Sequence, residues 1–369
     1  MTSTKQFRVA LSGYYGCGNA GDEAVLAGIR DGFRRQCGDR VALTALSQRP
    51  DDTRTLHGIE AADRMDIRAL RATISGSDLL ISGGGSLLQD TTSFKSLLYY
   101  LFVMRIAASC GVPVMLYAQG IGPLRRGLSR RLVRMTVNRS AYITVRDAGS
   151  AELLREIGVS APPIEVTADP AFALSPAAEL LVEEAMQREN ILLDKGIIGL
   201  ALRPWGDPAA APIDLYRRLL KELEARTGQR CVLLPMHHPD DLDFARRISP
   251  EKQHHLIEGA YPPNLVLGLV SKMSTVVAMR LHALIFAARA GVPPFALAYD
   301  PKVRQLMKLL GLEESTVDWN GFDPARVAAQ VADTISHRID AVTRLREQTI
   351  GCEAAALRNC DIALAVLGA

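Results

Sequence analysis

The feature that most constrains this chain is an alternation, kept from end to end, of short apolar runs with amphipathic segments of helical period. A short β-favouring run that is apolar on both faces must be covered above and below as well as paired on each side. A helix inserted between successive runs supplies that cover and makes the sheet parallel. In the first half, strands are predicted at Arg8–Gly13, Val41–Leu46, Asp78–Ser82, Pro113–Ala118, Tyr142–Val145 and Glu165–Thr167. A polar helical interval from about Ser175 to Lys195 follows, and then a second series at Gly196–Leu202, Arg230–Leu234, His255–Glu258, Val276–Met279 and Pro294–Ala298. The stretch from Pro324 to Leu367 reads as almost wholly helical.

The expectation is therefore an α/β protein of two Rossmann-like domains, 1–174 and 175–335, facing one another across a cleft. That is the GT-B plan, with C-terminal helices at 336–369 packing back on the first domain and the ligand held between the halves. Composition agrees: 369 residues with 48% hydrophobic and 22% charged content suffice for two cores. A net charge of +3 is too small to argue for nucleic acid. The cluster Arg125, Arg126, Arg130, Arg131 and Arg134 reads as a solvated helix face, or as a contact with an anionic membrane surface or a phosphorylated acceptor. Six cysteines without a CxxC pair, and no secretory leader at Met1, lead to the expectation of reduced thiols in a cytoplasm. The apolar stretch Leu97–Tyr117 is broken by Arg105 and by Gly111-Val-Pro113, and reads as a buried helix followed by a buried strand rather than a membrane span.

Three glycine turns follow strands of the first half. The first is Gly13-Tyr-Tyr-Gly-Cys-Gly-Asn-Ala-Gly-Asp-Glu23, where Gly16 and Gly21 let the backbone approach a ligand and Asn19 or Asp22 caps the next helix. The second is Ser82-Gly83-Gly84-Gly85, and the third contains Gln119 and Gly120. Close helix packing is the alternative for each turn taken singly; three on one sheet edge argue for a ligand surface. The first turn matches G-x-G-x-x-G, but no acidic residue ends the second strand, which argues against a nicotinamide cofactor. Arg146 and Asp169 close the next two strands, and Asp147 and Asp169 serve either to orient arginines or cap helices or to act on substrate.

In the second half, Arg203 follows the first strand, Arg280 and His282 the fourth, and Lys302 lies just past the fifth. Strand-to-helix turns present backbone N–H groups and the positive end of the helix dipole to one crevice. Cations added there suit a small polyanion such as a phosphorylated carboxylate, because guanidinium pairs bidentately with carboxylate or phosphate. Read alone, Arg280-Leu-His282 is equally served by a structural salt bridge and a packed imidazole. The adjacent pairs His237-His238 and His254-His255 point to opposite sides of an extended chain, so no metal site is expected.

The ordered series, from the first glycine turn through Ser82-Gly-Gly-Gly-Ser-Leu-Leu-Gln-Asp90, Tyr117-Ala-Gln-Gly-Ile-Gly-Pro123, Arg146-Asp147, Ala168-Asp-Pro-Ala171, Met279-Arg-Leu-His-Ala283 and Lys302, resembles the polysaccharide pyruvyl transferase family, in particular its CsaB-type bacterial members. The resemblance implies transfer of pyruvate from phosphoenolpyruvate onto two hydroxyls of one sugar, as a ketal, with release of phosphate and without a cofactor. With it, Arg203, Arg280 and Lys302 are expected to bind phosphoenolpyruvate and His282 to be the proton donor, while by analogy with domain roles in GT-B enzymes Arg146 and the glycine turns would address the acceptor. That acceptor would be an N-acetylmannosamine-containing, undecaprenyl-diphosphate-linked precursor of a secondary cell-wall polymer whose pyruvyl groups anchor an S-layer. The enzyme would then work at the inner face of the membrane, alone or as a homo-oligomer. A GT-B glycosyltransferase using a nucleotide sugar, or a non-catalytic module binding anionic polymer, would carry the same architecture.

Overall fold

A computed structural model describes residues 6–91, 93–192, 196–205, 212–250 and 254–368. The chain divides into two units, Met1–Leu174 with Cys352–Ala369, and Ser175–Gly351.

The first unit is built on seven parallel strands: β1 (Phe7–Tyr15), β2 (Val41–Ser47), β3 (Glu60–Asp63), β4 (Leu79–Gly83), β5 (Val114–Gln119), β6 (Tyr142–Val145) and β7 (Ile164–Val166). They lie in the order β3-β2-β1-β4-β5-β6-β7. Helices α1 (Ala20–Cys37), α2 (Pro50–His57), α3 (Ile67–Ser75), α4 (Phe94–Ser109), α5 (Gly127–Val137) and α6 (Ala148–Glu156) connect them. The second unit opens with α7 (Glu179–Arg188), inside the predicted polar interval, whose last residues 193–195 lie outside the described residues. Its strands are β8 (Ile197–Ala201), β9 (Arg230–Leu233), β10 (His255–Leu256), β11 (Thr275–Ala278), β12 (Pro294–Ala298) and β13 (Thr316–Asp318), in the order β10-β9-β8-β11-β12-β13. Between them run α8 (Ile213–Thr227), α9 (Asp240–Ile248), α10 (Pro263–Ser271), α11 (Leu281–Arg289) and α12 (Pro301–Leu309); α13 (Pro324–Ser336) and α14 (Arg338–Leu367) finish the chain.

Both sheets therefore reverse direction once, between β1 and β4 and between β8 and β11. The inner strands β4, β5, β8, β11 and β12 are buried at every position, as a sheet covered by helices on both faces requires. The fold expectation, two Rossmann-like α/β units of GT-B type, is met. Two strands escaped the sequence reading, β3 and β13, both at sheet edges. The last part of α14 completes the core of the first unit: Cys360, Ile362, Ala363 and Leu364 pack with β1 and α1 residues. Asn359, fully buried, accepts from the Thr167 hydroxyl at 2.8 Å and donates to the Ala168 carbonyl at 3.2 Å. The stretch read as a buried helix and strand is α4 and β5, but α4 is covered on one side only, with Leu98, Phe102 and Arg105 exposed.

Candidate functional site

In an open parallel sheet, the two strands flanking the reversal send their following loops to opposite faces. The gap between those loops is where such sheets take ligands. In the second unit these strands are β8 and β11, and they end at Leu202-Arg203 and Met279-Arg280. β12, the next neighbour, ends at Ala298 and is followed by Lys302 in the first turn of α12. The three cations singled out from the sequence thus follow three adjacent strands.

Arg203 reaches sideways. Its Nη1 donates to the Tyr299 hydroxyl at 3.2 Å, its Nε donates to the Pro204 carbonyl at 3.2 Å, and its guanidinium lies 5.3 Å from the Tyr299 ring and 5.6 Å from that of Trp205. Because β11 lies between β8 and β12, the Arg203–Tyr299 contact passes over the end of β11, where Arg280 and His282 are. Arg203 has no carboxylate partner among the described residues, and an arginine held by aromatic faces instead keeps its charge available to an anion.

Arg280 is held differently. Its Nε donates to Asp241 Oδ2 at 2.8 Å and its Nη2 to Asp241 Oδ1, a fork-to-fork pair with a carboxylate that is only 1% exposed. Asp241 also accepts from the Met236 N–H at 3.2 Å, so the loop after β9 and the end of β11 are joined through one buried carboxylate. The salt bridge that the sequence left as one of two readings exists, and it engages two of the three guanidinium nitrogens. Nη1 has no other protein partner among the described residues.

Arg280 is also the N-cap residue of α11, without a side-chain hydrogen bond to cap it. The Arg280 side chain takes up none of the first-turn N–H groups of that helix, of which that of Ala283 donates to the Arg280 carbonyl at 3.1 Å. His282, half-buried, stands in this first turn. Lys302 is drawn toward Asp300, the N-cap of α12: its N–H donates to Oδ1 at 3.0 Å and its Nζ lies 3.5 Å from Oδ2. Burial pushes the His238 imidazole down, toward the neutral form. Among the described residues no group of His, Cys, Asp and Glu could hold a metal ion.

In the first unit the glycine turns follow β1, β4 and β5, which are adjacent strands. They are bound to one another: Gly84 N–H donates to Tyr117 O and Gly120 N–H to Gly85 O, both at 2.8 Å. Gly16 and Gly84 have φ of +72° and +57°. A Cβ on Gly84 would fall inside the Val25 side chain, one on Gly16 would meet Ser47 and Arg49, and one on Gly120 would lie 2.7 Å from Arg146 Nη2. The missing side chains are therefore already required by close packing, the plainer of the two explanations that the sequence allowed. Gly84→Ala should lower stability by about 2–4 kcal/mol, combining left-handed strain with overpacking, seen as a lower denaturant midpoint at unchanged slope.

Asn19 caps α1 through Gly21 N–H at 3.0 Å, and Asp22 lies in the first turn of α1, its Oδ1 2.9 Å from where a Gly85 side chain would begin. The Gly83 carbonyl accepts from the Tyr15 hydroxyl at 3.3 Å. Gln119, fully buried, donates from Nε2 to the Ser82 hydroxyl at 2.8 Å. Arg146 is nine-tenths buried, with Nη1 2.9 Å from Asp169 Oδ2 and Nη2 2.9 Å from the Ser86 hydroxyl. It ties the ends of β6 and β7 to the second glycine turn. Burial pushes the Cys17 thiol up, away from the reactive thiolate.

One residue was missed. Arg64 follows β3, is 8% exposed, and stacks 4.4 Å from the Tyr99 ring, with Tyr100 at 5.6 Å and Tyr14 at 5.9 Å. Its Nη1 donates to the Gly13 carbonyl at 3.4 Å. The available signal was length: the interval from Ser47 to Asp78 is too long for one helix between two strands.

The model of the polysaccharide pyruvyl transferase family matches residues 19–301, a span that includes the first glycine turn from Asn19, the second and third turns, Arg146, Arg203, Arg280 and His282. The chain belongs to that family. As a polysaccharide pyruvyl transferase it is a transferase acting in polysaccharide modification, with a saccharide as acceptor. It is 20% identical, over 88% of its length and 91% of the relative's, to the amylovoran biosynthesis protein AmsJ of Erwinia amylovora. Among solved structures it is similar in fold to S. aureus MnaA with UDP (TM-score 0.67, 12% identity, 98% of this chain and 97% of that one). A putative UDP-N-acetylglucosamine 2-epimerase from Listeria monocytogenes gives a TM-score of 0.64 at 14% identity, covering 98% and 96%. Anabaena HepE in complex with UDP-glucose gives 0.62 at 14%, covering 99% and 100%. At these identities the likeness is one of fold alone.

Proposed function

We propose that this pyruvyl transferase uses phosphoenolpyruvate as donor, bound in the second unit at the ends of β8, β11 and β12. The observation that carries the reading is Arg203, uncompensated by any carboxylate among the described residues, bound to Tyr299 after β12 while β11, which leads into Arg280 and His282, lies between their two strands. A trianion needs positive groups converging from several directions. Arg203, the free edge of Arg280, the α11 N–H groups and Lys302 supply them. In this reading no cofactor takes part.

An acceptor hydroxyl gives up its proton as its oxygen bonds to the central carbon of the enol, and a proton passes to the methylene carbon, giving a tetrahedral carbon that still carries phosphate. The carbon–oxygen bond to phosphate then breaks, inorganic phosphate leaves, and the neighbouring hydroxyl closes the ketal and gives up its proton. His282 is the proposed general acid, serving the methylene carbon or the leaving phosphate. The glycine turns and Arg146 of the first unit are assigned to the acceptor side. AmsJ, by its name a protein of amylovoran biosynthesis, supports a polymer precursor as acceptor. The one to try first is the lipid-linked, N-acetylmannosamine-containing saccharide of a secondary cell-wall polymer, beside an unrelated exopolysaccharide repeat.

The test is release of inorganic phosphate from phosphoenolpyruvate in the presence of acceptor, with the ketal confirmed by mass. Release of a nucleoside diphosphate from a sugar nucleotide, with no dependence on phosphoenolpyruvate, would overturn the reading. Arg203→Gln should raise the phosphoenolpyruvate KM by roughly 10–100-fold, the worth of one charge-assisted hydrogen bond, while leaving the acceptor KM unchanged.

A further inference from the structure

Charge is unevenly spread along this chain. Between Asp90 and Asp147 the sequence contains no Asp or Glu and nine Lys and Arg, although the whole chain carries a net charge of only +3. That interval includes α4 and α5, which pack against each other on one face of the first sheet. On α4, Lys95, Leu98, Phe102 and Arg105 are exposed at helical spacing; on α5, Leu128, Arg131, Arg134 and Met135 are exposed. The two stripes are continuous, because Arg105, Met135 and Arg139 line one shallow hollow between the helices.

The face combines two properties that usually exclude one another. Phe102 is 46% exposed, Leu128 57% and Met135 53%, more large apolar surface than a solvated helix pair needs. Around them Lys95, Arg105, Arg131, Arg134 and Arg139 have no carboxylate partner among the described residues, whereas the neighbouring Arg130 pairs with Glu156 at 2.7 Å. Cations without counter-ions around isolated apolar side chains fit a surface that is anionic at its boundary and apolar just beneath it. An acidic protein would match the charges but leave Phe102, Leu128 and Met135 without a reason. A second copy of this chain would place unpaired cations against each other.

We infer that the α4–α5 face docks on an anionic lipid surface, with Phe102, Leu128 and Met135 entering the headgroup boundary and the five cations pairing with lipid phosphates. The face begins where the chain leaves β4 and β5, so its upper end adjoins the glycine turns of the same unit. A saccharide whose lipid anchor stays in the bilayer would meet the protein there. The inference rests on charge and exposure in the first unit and does not depend on the donor site.

The experiment uses the full chain and vesicles of phosphatidylcholine with and without about one-third phosphatidylglycerol, read by co-flotation, with phosphoenolpyruvate binding measured in parallel. The chain should partition onto the anionic vesicles, and raising salt well above 0.15 M should release most of it, since the screening length there is about 8 Å and shrinking. The triple variant Arg105→Gln, Arg131→Gln, Arg139→Gln should weaken partitioning by about 100-fold, at roughly fivefold per cation. Phe102→Ser should remove the part of the binding that survives salt. Phosphoenolpyruvate binding should be unchanged in both variants, which separates failure here from failure of the donor reading. The inference is overturned by equal binding to neutral vesicles, by a triple variant that binds like the parent, or by self-association through this face. Equally tight binding to soluble polyglutamate, with Phe102→Ser without effect, would also overturn it in favour of a protein partner.

Discussion

His282→Ala should lower turnover by about 10²–10⁴-fold, the range that a positioned general acid contributes, with little change in the phosphoenolpyruvate KM. The side chain stands in the first turn of α11, half-buried, beyond the buried run Ala283–Ala288 that anchors the helix. Removing it should leave thermal unfolding close to that of the parent, so a loss of activity would not be a loss of fold. Phosphate release at saturating donor and acceptor is the measurement. A variant with full turnover would remove His282 from the chemistry, and one with unchanged turnover but a raised donor KM would make it a binding group. His282→Gln separates the two further, since an amide keeps a hydrogen bond to phosphate but cannot supply the proton.

That this residue can be named at all follows from how directly the sequence reports strand ends in a parallel sheet. β8, β11 and β12 are unbroken apolar runs, each passing through one or two residues into a loop or helix, so Arg203, Arg280 and Lys302 could be assigned to the carboxyl edge of the sheet. Their being neighbours follows from the reversal of strand order, which a right-handed parallel crossover makes regular. β3 and β13 were not legible, although the other two edge strands, β7 and β10, were. Glu60-Ala-Ala-Asp63 and Thr316-Val-Asp318 show no apolar alternation, and Arg64 was missed with β3. For the glycine turns, sequence can say that a side chain is not tolerated but not what occupies the space. At Gly84 it is Val25, and at Gly120 it is Arg146.

The partner of Arg280 was hidden for another reason: Asp241 is 39 residues away and belongs to a different connection. In the sequence it lies three residues after His238, in a connection where the adjacent histidines drew attention. Its position predicts the second large effect. Asp241→Ala leaves the inner side of Arg280 against a buried, vacated site, and removing one partner of a buried ion pair costs about 3–5 kcal/mol. The lower end is expected here, because Arg280 keeps 15% of its side chain exposed and can turn partly toward water. The milder Asp241→Asn keeps shape and volume but loses the charge and one acceptor, so Arg280 should lose its fixed orientation while the fold survives. If Arg280 offers its remaining edge to the donor, this variant should raise the phosphoenolpyruvate KM by roughly 10–100-fold. Stability alone does not produce that selectivity, and a cycle with Arg280→Gln decides between the two causes. When Asp241 acts through Arg280, Asp241→Asn should add almost nothing to the donor KM of Arg280→Gln, a coupling within the ~0.5–3 kcal/mol typical of contacting residues. Additive effects would mean that the carboxylate supports the β9 loop through Met236 and has no part in holding the arginine for substrate.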